Sequence, residues 1–411
     1  MTTTLTWVEP GTVIERLRQL AAFALQYGLP IALWRLPQQT TVQLCVSLSA
    51  DAALAGLPPA LEPTAPAGFA FFPFRDTDHN PALFLLADVV FDTSQPHELR
   101  VNPDAEGAAT LLPKLQELLE ATATSPQQPD TNLPWYFSPQ PAPHAATQAE
   151  YGALVQRSVA AIENGELLKV VSSRAARLPL PTDFDALAAF EALAQRYPTA
   201  FCSLVSAPGA GTWLGATPEI LVQVTDGQFS TMALAGTQPL VPGRKPNEAI
   251  WRQKEIEEQA LVARYIVNCF KQLRLREYHE TGPRTVVAGD LLHLRTDFAV
   301  DLRRVPFPTL GTDMLRLLHP TSAVGGMPRQ AALEFIRQHE GYDRSYYSGF
   351  LGPVNLATPG TARLYVNLRC FQLRTQEAIL YAGTGLTVDS DPAREWQETE
   401  LKLHTAAAIL N

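Results

Sequence analysis

The segment Tyr381–Leu403, with the sequence YAGTGLTVDSDPAREWQETELKL, predicts a buried strand, a glycine-rich turn and a helix in succession. The apolar residues that lead into it are typical of a buried strand. Gly383 and Gly385 let the backbone bend close to a bound group. The Asp391-Pro392 pair is typical of a helix start, because aspartate caps the first turn and proline fits its first position. We expect other parts of the chain to place further residues next to this segment.

Three charged residues share one face of this predicted helix, because Glu395, Glu398 and Lys402 stand at positions i, i+3 and i+7. In one interpretation, Glu398 and Lys402 form an ordinary solvated pair on the protein surface. In the other, a carboxylate and an ammonium beside a glycine-rich backbone bind a hard cation and an anionic ligand. The segment alone does not decide between these interpretations.

The composition is that of a globular protein with an acidic surface. The chain has 411 residues, of which 46% are hydrophobic, which suffices for one large domain or two ordinary ones. A formal net charge of -9 and the lack of a basic run argue against nucleic-acid binding. An acidic substrate would therefore need a local basic pocket. Four widely separated cysteines show neither metal-ligand nor redox spacing, so we expect buried free thiols.

The sequence shows no targeting or membrane segment. The N-terminus lacks a basic stretch followed by an apolar one, and no uninterrupted apolar run reaches about 18 residues. We therefore expect no membrane partner and a cytoplasmic protein.

Prolines suggest how the chain is divided. Residues 121–149 carry several prolines among Gln, Thr and Ser, a composition typical of a linker. We predict an N-terminal structural region over residues 1–120 and a catalytic domain over residues 150–411. The N-terminal region, with its short apolar strands, either forms a separate unit or completes a sheet of the catalytic domain.

Two charged residues stand among apolar strands after the linker. Lys169 begins the run KVVSSR, where it either protects an edge strand from pairing or is an ammonium in a pocket whose partial burial lowers its pKa and makes it a usable general base. Glu219 follows Thr217 and Pro218. This triplet either begins a helix, or places a carboxyl in a turn whose apolar surroundings raise its pKa so that it can donate a proton.

Three further stretches carry potential site residues. Glu258 lies in the first turns of a predicted helix, where acidic residues usually just favour the helix dipole. The loop HPTSAVGG at residues 319–326 consists largely of small residues and either approaches a ligand or turns a corner. Arg369 lies inside a strand pattern, and a buried arginine needs an anion.

Six motifs in one order resemble the chorismate-utilising enzymes, and within them the isochorismate synthase branch. They span roughly residues 150–403, and their combination is far more specific than any one motif. The motifs are KVVSSR at 169–174, LGATPE at 214–219, ALAGT at 233–237, KEIEEQALV at 254–262, HPTSAVGG at 319–326 and GTG…SDPAREWQETELKL at 383–403.

The resemblance implies an α+β fold in which two large antiparallel sheets pack together with helices outside. It implies an active-site cleft near the C-terminal acidic helix, chorismate as the small-molecule substrate and Mg²⁺ as the cofactor. We also expect a monomer without an obligatory protein partner.

The resemblance also assigns roles to matching residues. Lys169 matches a general base that activates water, and Glu219 matches a general acid that protonates the departing hydroxyl. Glu258 and Glu398 match metal-binding carboxylates, with Glu395 as a third contact, direct or through water.

Further residues match the substrate-binding positions of the family. Arg369 and Lys402 match residues that hold the anionic groups of the substrate. The other expected cleft residues are Gly236, Thr237, Val324, Tyr347, Ala382, Gly383 and Gly385.

The motifs also favour water as the nucleophile. Ala235 stands where the aminodeoxychorismate-forming branch carries a nucleophilic lysine, and the HPTSAVGG loop differs from the Pro-Ala-Gly version of the anthranilate-forming branch. We therefore predict interconversion of chorismate and isochorismate, for menaquinone rather than siderophore synthesis. Salicylate synthase, an anthranilate synthase component I-like enzyme and an inactive scaffold are the alternatives. The intact catalytic set argues against a scaffold.

Five positions depart from the family pattern without removing a catalytic group. They are Gln238, Leu240, Gln259, Ser322 and Thr384. Gln259, in place of a histidine, could alter metal affinity, and Thr384, in place of an alanine, could shift the ligand cleft.

Overall fold

The computed structural model describes residues 3–6, 12–52, 59–121, 133–240, 243 and 245–410. Within these ranges the chain forms strands and α-helices in mixed order, with a short 3-10 turn at Pro246–Glu248. The strands are β1 (Thr3–Thr6), β2 (Ile31–Arg35), β3 (Val42–Val46), β4 (Gly68–Phe72), β5 (Leu83–Leu86), β6 (Val89–Asp92), β7 (Glu98–Val101), β8 (Lys169–Pro179), β9 (Phe201–Ala207), β10 (Gly211–Thr217), β11 (Ile220–Thr225), β12 (Gln228–Pro239), β13 (His279–Ala288), β14 (Leu291–Asp301), β15 (Gly326–Met327), β16 (Phe350–Val354), β17 (Ala362–Val366), β18 (Cys370–Leu373) and β19 (Glu377–Leu386). The helices are α1 (Val13–Gln26), α2 (Ala108–Ala121), α3 (Gln148–Glu163), α4 (Ala186–Arg196), α5 (Gln253–Gln272), α6 (Leu310–Leu318), α7 (Arg329–His339) and α8 (Pro392–Ala407).

The strands form two large sheets. The first has the order β1-β7-β6-β3-β2-β9-β10-β18-β19-β8-β15, and the second has the order β13-β14-β12-β11-β17-β16-β4-β5. Neighbouring strands run antiparallel throughout both sheets, as between β8 and β19 and between β12 and β14. The predicted α+β class with two large antiparallel sheets is confirmed.

Strands from both ends of the chain share these sheets. The first sheet includes β1, β2, β3, β6 and β7, and the second includes β4 and β5, all of which precede residue 120. Residues 122–132 of the predicted linker lie outside the described residues, so the linker stays a prediction.

Aromatic side chains hold the two sheets together. Trp34 on β2 packs on Phe69 on β4 with ring centroids 4.9 Å apart. Phe201 on β9 stacks on Tyr365 on β17 at 4.2 Å with an interplanar angle of 9°. Each pair joins a strand of the first sheet to a strand of the second, so the space between the sheets is a core of large apolar rings.

The chain passes between the two sheets several times, and two of these crossings are adjacent. It leaves the first sheet after β10, passes through Pro218-Glu219 and enters the second sheet at β11. It returns between β17 and β18 through Leu368-Arg369. The first crossing contradicts the interpretation of Thr217 as a helix start, because a strand follows it directly.

Backbone hydrogen bonds join the two crossings. The Val366 amide donates to the Glu219 carbonyl at 3.0 Å, and the Ala216 amide donates to the Arg369 carbonyl at 3.2 Å. Arg369 itself has a φ of 51° and lies outside any strand, so its predicted place inside a strand was wrong. The crossings therefore bring two site candidates from distant parts of the sequence to one place.

Two further findings concern the chain as a whole. All four cysteines are buried and free, as expected. Of the helices in the described ranges, none combines the length and apolar character that a bilayer crossing requires.

The side chain of Thr217 offers a test of the link between the crossings. Its hydroxyl Oγ1 donates to the Val366 carbonyl at 2.7 Å in a buried environment. The change Thr217→Val keeps the shape but removes this hydrogen bond, together with the one that Oγ1 accepts from the buried Glu219 amide at 3.3 Å, so we expect a loss of about 1–3 kcal/mol in the free energy of unfolding. Urea unfolding measures this loss. Thr182→Val, at an exposed threonine, is the matched control and should change stability by less than about 0.5 kcal/mol; equal stability of the two variants would contradict the prediction.

Candidate active site

One cleft gathers most of the residues predicted for the site. It opens beside the two crossings and is also bordered by the end of β12, by α5, by β19 and by α8. Of the fourteen predicted residues, all but Lys169 and Glu395 line it. The lining members are Glu219, Gly236, Thr237, Glu258, Val324, Tyr347, Arg369, Ala382, Gly383, Gly385, Glu398 and Lys402.

Lys169 lies behind the wall of the cleft. It is the first residue of β8, opposite Met327 of the two-residue strand β15, and its side chain is fully buried. Its Nζ lies 3.1 Å from Oε1 of Glu258, although no side chain or carbonyl of the described residues meets hydrogen-bond geometry with it. A lysine that protects a sheet edge points into water, so that interpretation was wrong.

Gly385 provides the space for this pair. A Cβ atom at this position would lie 1.9 Å from Oε1 of Glu258 and 3.0 Å from Cε of Lys169. Both distances are too short for a side chain, so only glycine leaves the carboxylate and the ammonium together. The sequence predicted a close approach to this backbone, and the approaching group in the structure is the Glu258 carboxylate.

Glu219 is a buried carboxyl whose proton affinity is unusually high. Its side chain is 4% exposed at the crossing between β10 and β11. Burial raises the pKa of Glu219 to about 8, against the opposing charges of Lys169 and Lys402. The group is therefore largely protonated at neutral pH and can donate a proton.

Glu398 and Lys402 form a half-buried pair that faces the cleft. Lys402 Nζ donates to Oε1 of Glu398 at 2.6 Å and to the carbonyl of Gly383 at 2.8 Å. Burial alone raises the pKa of Glu398, but the charges of Lys402 and Lys254 outweigh it and keep that pKa below its ordinary value. The solvated surface pair was the wrong interpretation, and Glu398 is a carboxylate at neutral pH.

Glu395 lies one turn earlier on α8 and is 1% exposed. Its Oε1 forms an ion pair with Lys254, and its Oε2 has no hydrogen-bond partner among the described residues. Burial raises the pKa of Glu395, and the nearby charge of Glu398 acts in the same direction. An unpaired buried carboxylate oxygen is an available acceptor for a cation or a water.

The donor set of these carboxylates fits Mg²⁺, which prefers oxygen ligands and often uses one or two carboxylates together with substrate and water. Glu258 and Glu398 both line the cleft, and Glu395 has an oxygen without a partner. Across the described ranges, three or more His, Cys, Asp or Glu groups nowhere converge closely enough to hold a metal by themselves. Bound substrate or water would therefore supply the remaining ligands.

His293 is a cleft residue that the sequence analysis missed. It lies on β14 opposite a β-bulge in β12 that contains Gly236, and its Nδ1 donates to the Gly236 carbonyl at 2.6 Å. Burial is the main cause that lowers the pKa of His293 to about 3, and the charge of Arg369 acts in the same direction. The ring is therefore neutral. Since a carbonyl only accepts, the proton sits on Nδ1 and Nε2 is an acceptor.

Arg369 is a buried cation in the cleft with an unpaired nitrogen. Its Nη1 is buried and has no hydrogen-bond partner in the part of the chain that the structure describes, while Nη2 lies 3.5 Å from Nε2 of His293. Burial lowers the pKa of Arg369 to about 10, which still leaves it charged at neutral pH. A carboxylate in the cleft would satisfy this guanidinium group.

The departures from the family pattern have clear structural places. Thr384 is buried, and its hydroxyl is hydrogen-bonded to that of Tyr151 at 2.9 Å. Gln259 is buried and donates to the Ala233 carbonyl and to the Thr296 hydroxyl, at 3.2 and 3.0 Å. Both side chains point into the interior next to the site. The remaining cleft residues that the sequence did not predict are Val171, Pro218, Leu234, Ala235, Ala323, Leu368 and Tyr381.

Comparisons with known proteins identify the family of the chain. A family model described as "Chorismate binding enzyme" matches residues 45–411. The isochorismate synthase EntC of Escherichia coli is 28% identical over 267 residues, which are 63% of this chain and 66% of that protein. A putative isochorismate synthase, MenF, of Mycobacterium tuberculosis is 30% identical over 348 residues, which are 80% of this chain and 87% of that protein.

A solved structure shows the same fold. It is that of MenF, the menaquinone-specific isochorismate synthase from Escherichia coli, which superposes with a TM-score of 0.73 at 21% identity. The match covers 100% of this chain and 94% of that chain.

The raised pKa of Glu219 predicts a pH-dependent stability. The group binds its proton up to about pH 8 in the folded protein but only to about pH 4.5 when unfolded, so folding loses stability as pH rises between these values. Glu219→Gln has no carboxyl to titrate, so its stability does not fall with pH in this way. At pH 9 we expect the free energy of unfolding of the variant to exceed that of the wild type by up to about 4 kcal/mol, since one pKa unit is about 1.4 kcal/mol. Near pH 5 we expect this difference to disappear.

Urea unfolding at the two pH values measures the difference. The matched control Glu98→Gln changes an exposed carboxylate and should show no such pH-dependent gain. A constant difference between Glu219→Gln and the wild type at both pH values would refute the raised pKa.

Proposed function

Because the chain belongs to the chorismate-binding enzyme family, we propose that it is an isochorismate synthase, a Mg²⁺-dependent isomerase that interconverts chorismate and isochorismate. The observation that carries the proposal is the buried, protonated carboxyl of Glu219 in a cleft next to the buried Lys169. Exchange of a ring hydroxyl needs one group that gives a proton and another that takes one.

The cleft suits the charge of the substrate. Chorismate carries two carboxylates, whereas the protein has a formal net charge of -9 and must neutralise them locally. Arg369 offers a buried nitrogen without a partner, and Lys402 is positioned by the carbonyl of Gly383. These two cations hold the anionic groups of the substrate.

Proton transfer is divided between two residues. Lys169, in its amine form, accepts a proton from the water that attacks the ring. Glu219 gives its proton to the hydroxyl that leaves from the other ring carbon, so that one water enters and one water departs. In the reverse direction the two residues exchange roles, as microscopic reversibility requires.

Glu258 and Glu398 would hold Mg²⁺, with Glu395 as a third contact. When bound, the ion supplies positive charge that neutralises a substrate carboxylate. In the structure Lys402 pairs with Glu398 and keeps this acid ionised, and Lys169 lies 3.1 Å from Oε1 of Glu258 and orients it.

Water is the nucleophile because the cleft offers no amine where the aminodeoxychorismate-forming branch has one. Ala235 lines the cleft at that position. We assign the product to menaquinone synthesis, since the Mycobacterium tuberculosis relative named MenF aligns over 80% of this chain, against 63% for EntC. The cytoplasmic location and the lack of an obligatory protein partner stay predictions from the sequence.

Product analysis tests the function. Purified protein incubated with chorismate and Mg²⁺ should form isochorismate, as separated by chromatography, without pyruvate and without an aminated product when ammonia is added. Pyruvate would indicate a salicylate synthase, a fluorescent amine would indicate an anthranilate synthase, and no turnover would support a scaffold.

Variants test the two proton-transfer roles. Lys169→Ala and Glu219→Gln should each lower kcat by about 10²–10⁴-fold, because each removes one proton-transfer group. Lys271→Ala, at an exposed lysine near the end of α5, is the control and should keep wild-type turnover. A folded Lys169→Ala variant with near-normal kcat would rule out its role as the base.

Gly385→Ala tests the space around the Lys169–Glu258 pair. The added methyl group would overlap Oε1 of Glu258, so we expect a loss of turnover of at least about 10²-fold and a higher Mg²⁺ requirement. The control is Gly152→Ala on α3, where the nearest atom would lie 3.6 Å away. Wild-type turnover in Gly385→Ala would contradict the close packing.

A further inference from the structure

A second cavity lies apart from the catalytic cleft. It is bounded by α6, by α7, by the end of β4 and by the turn after α7, and it holds about 700 Å³. Small-molecule sites in proteins span about 300–1,000 Å³. None of the described residues that line this cavity also lines the catalytic cleft.

The floor of this second cavity is apolar and rich in aromatic rings. Phe72 on β4 and Phe350 on β16 are stacked with ring centroids 4.6 Å apart and an interplanar angle of 14°. The ring of Phe74 lies next to them in the wall, and Leu333 and Ile336 on α7 face the same space. Such a surface favours a ligand with a flat apolar body.

More arginines than carboxylates line the second cavity. Five arginines and three carboxylates line it, which leaves a formal excess of two positive charges. Arg344 and Glu340 form a fully buried pair at 2.6 Å, so they neutralise each other. Of the outer arginines, Arg316 pairs with Asp313 at 3.7 Å and Arg337 pairs with Glu334, which leaves Arg75 and Arg329.

Two of these outer arginines have no carboxylate within ion-pair distance among the described residues. Arg75 is exposed at the end of β4. Arg329 donates to the carbonyls of Leu317 and His319 at the end of α6 and so keeps its charge at the cavity. His319 adds no charge, because burial lowers its pKa to about 3. Both guanidinium groups are available to an anion.

We propose that the second cavity binds a small organic anion of the aryl carboxylate class. Its ring system lies against the apolar wall formed by Phe74, Leu333 and Ile336, behind which Phe72 and Phe350 are buried, and its carboxylate faces Arg75 and Arg329. An inorganic anion would leave the apolar floor exposed to water, and an uncharged arene would leave the guanidinium groups without an anion. This inference does not rest on the proposed function.

Hydrogen bonds connect the wall of the second cavity to the wall of the catalytic cleft. Arg344 donates to the carbonyl of Val324 at 2.8 Å and to that of Val171 at 2.7 Å. Glu340 accepts from the amide of Ser173 at 2.6 Å. Val171 and Val324 line the catalytic cleft, so the buried ion pair in the wall of one cavity supports the wall of the other.

Calorimetric titration with 2-naphthoate tests the proposal, and 2-naphthalenemethanol is the uncharged analogue. We expect one saturable site for naphthoate, affinity that falls with added salt, and binding of the alcohol at least about tenfold weaker. Arg75→Gln should weaken naphthoate binding by about threefold to tenfold. Leu333→Trp should abolish it by filling the cavity.

Two controls separate this site from other anion sites. Arg157→Gln, at an exposed arginine on α3 outside the cavity, should bind naphthoate like the wild type. Arg369→Gln in the catalytic cleft should also leave the affinity unchanged. The proposal is overturned if naphthoate does not bind at millimolar concentration, if the alcohol binds equally well, or if Arg369→Gln loses binding while Arg75→Gln and Leu333→Trp retain it.

Discussion

The burial of charge between two apolar sheets is the constraint on which this structure depends. A buried ion is costly unless a partner of opposite charge lies beside it. Three carboxylates of the site meet this demand with three lysines, and the pairs are Lys169–Glu258, Lys254–Glu395 and Lys402–Glu398. Two groups lack such a partner. Glu219 is neutral because burial raises its pKa, and Arg369 keeps an unpaired nitrogen. These two unpaired groups are the ones that a reacting dianion would satisfy.

The fold produces this arrangement by crossing the chain between sheets twice at one place. Glu219 and Arg369 are separated by about a third of the sequence, yet backbone hydrogen bonds at 3.0 and 3.2 Å join their crossings. Glycines complete the site from the facing side. Gly385 leaves space for the Glu258 carboxylate, and Gly236, with a φ of 69°, turns its carbonyl toward His293. Two short connections between strands, together with α5 and α8, therefore position most of the chemistry.

Local sequence patterns predicted the elements well but not their long-range placement. The buried strand that contains Tyr381 and the helix after Asp391 have local signals, and both are present. The interpretation of Thr217 as a helix start was wrong, because a cap residue followed by proline is equally compatible with a crossing between sheets. The burial of Lys169 depends on strand pairing, which spacing does not encode. No local sequence pattern indicated His293, because its place in the cleft depends on a bulge in the neighbouring strand. The resemblance to the family, by contrast, named twelve residues that the structure collects in one cleft.

The central claim is that a water molecule, activated within this cleft, replaces the ring hydroxyl. Turnover of chorismate in H₂¹⁸O, followed by mass spectrometry of the isochorismate formed at early times, tests it most directly. The account predicts one ¹⁸O atom in each isochorismate molecule, located in the new ring hydroxyl, and gradual ¹⁸O entry into recovered chorismate through the reverse reaction. Isochorismate that keeps the original ¹⁶O hydroxyl would mean that the group migrates within the substrate, and would contradict the roles of both Lys169 and Glu219.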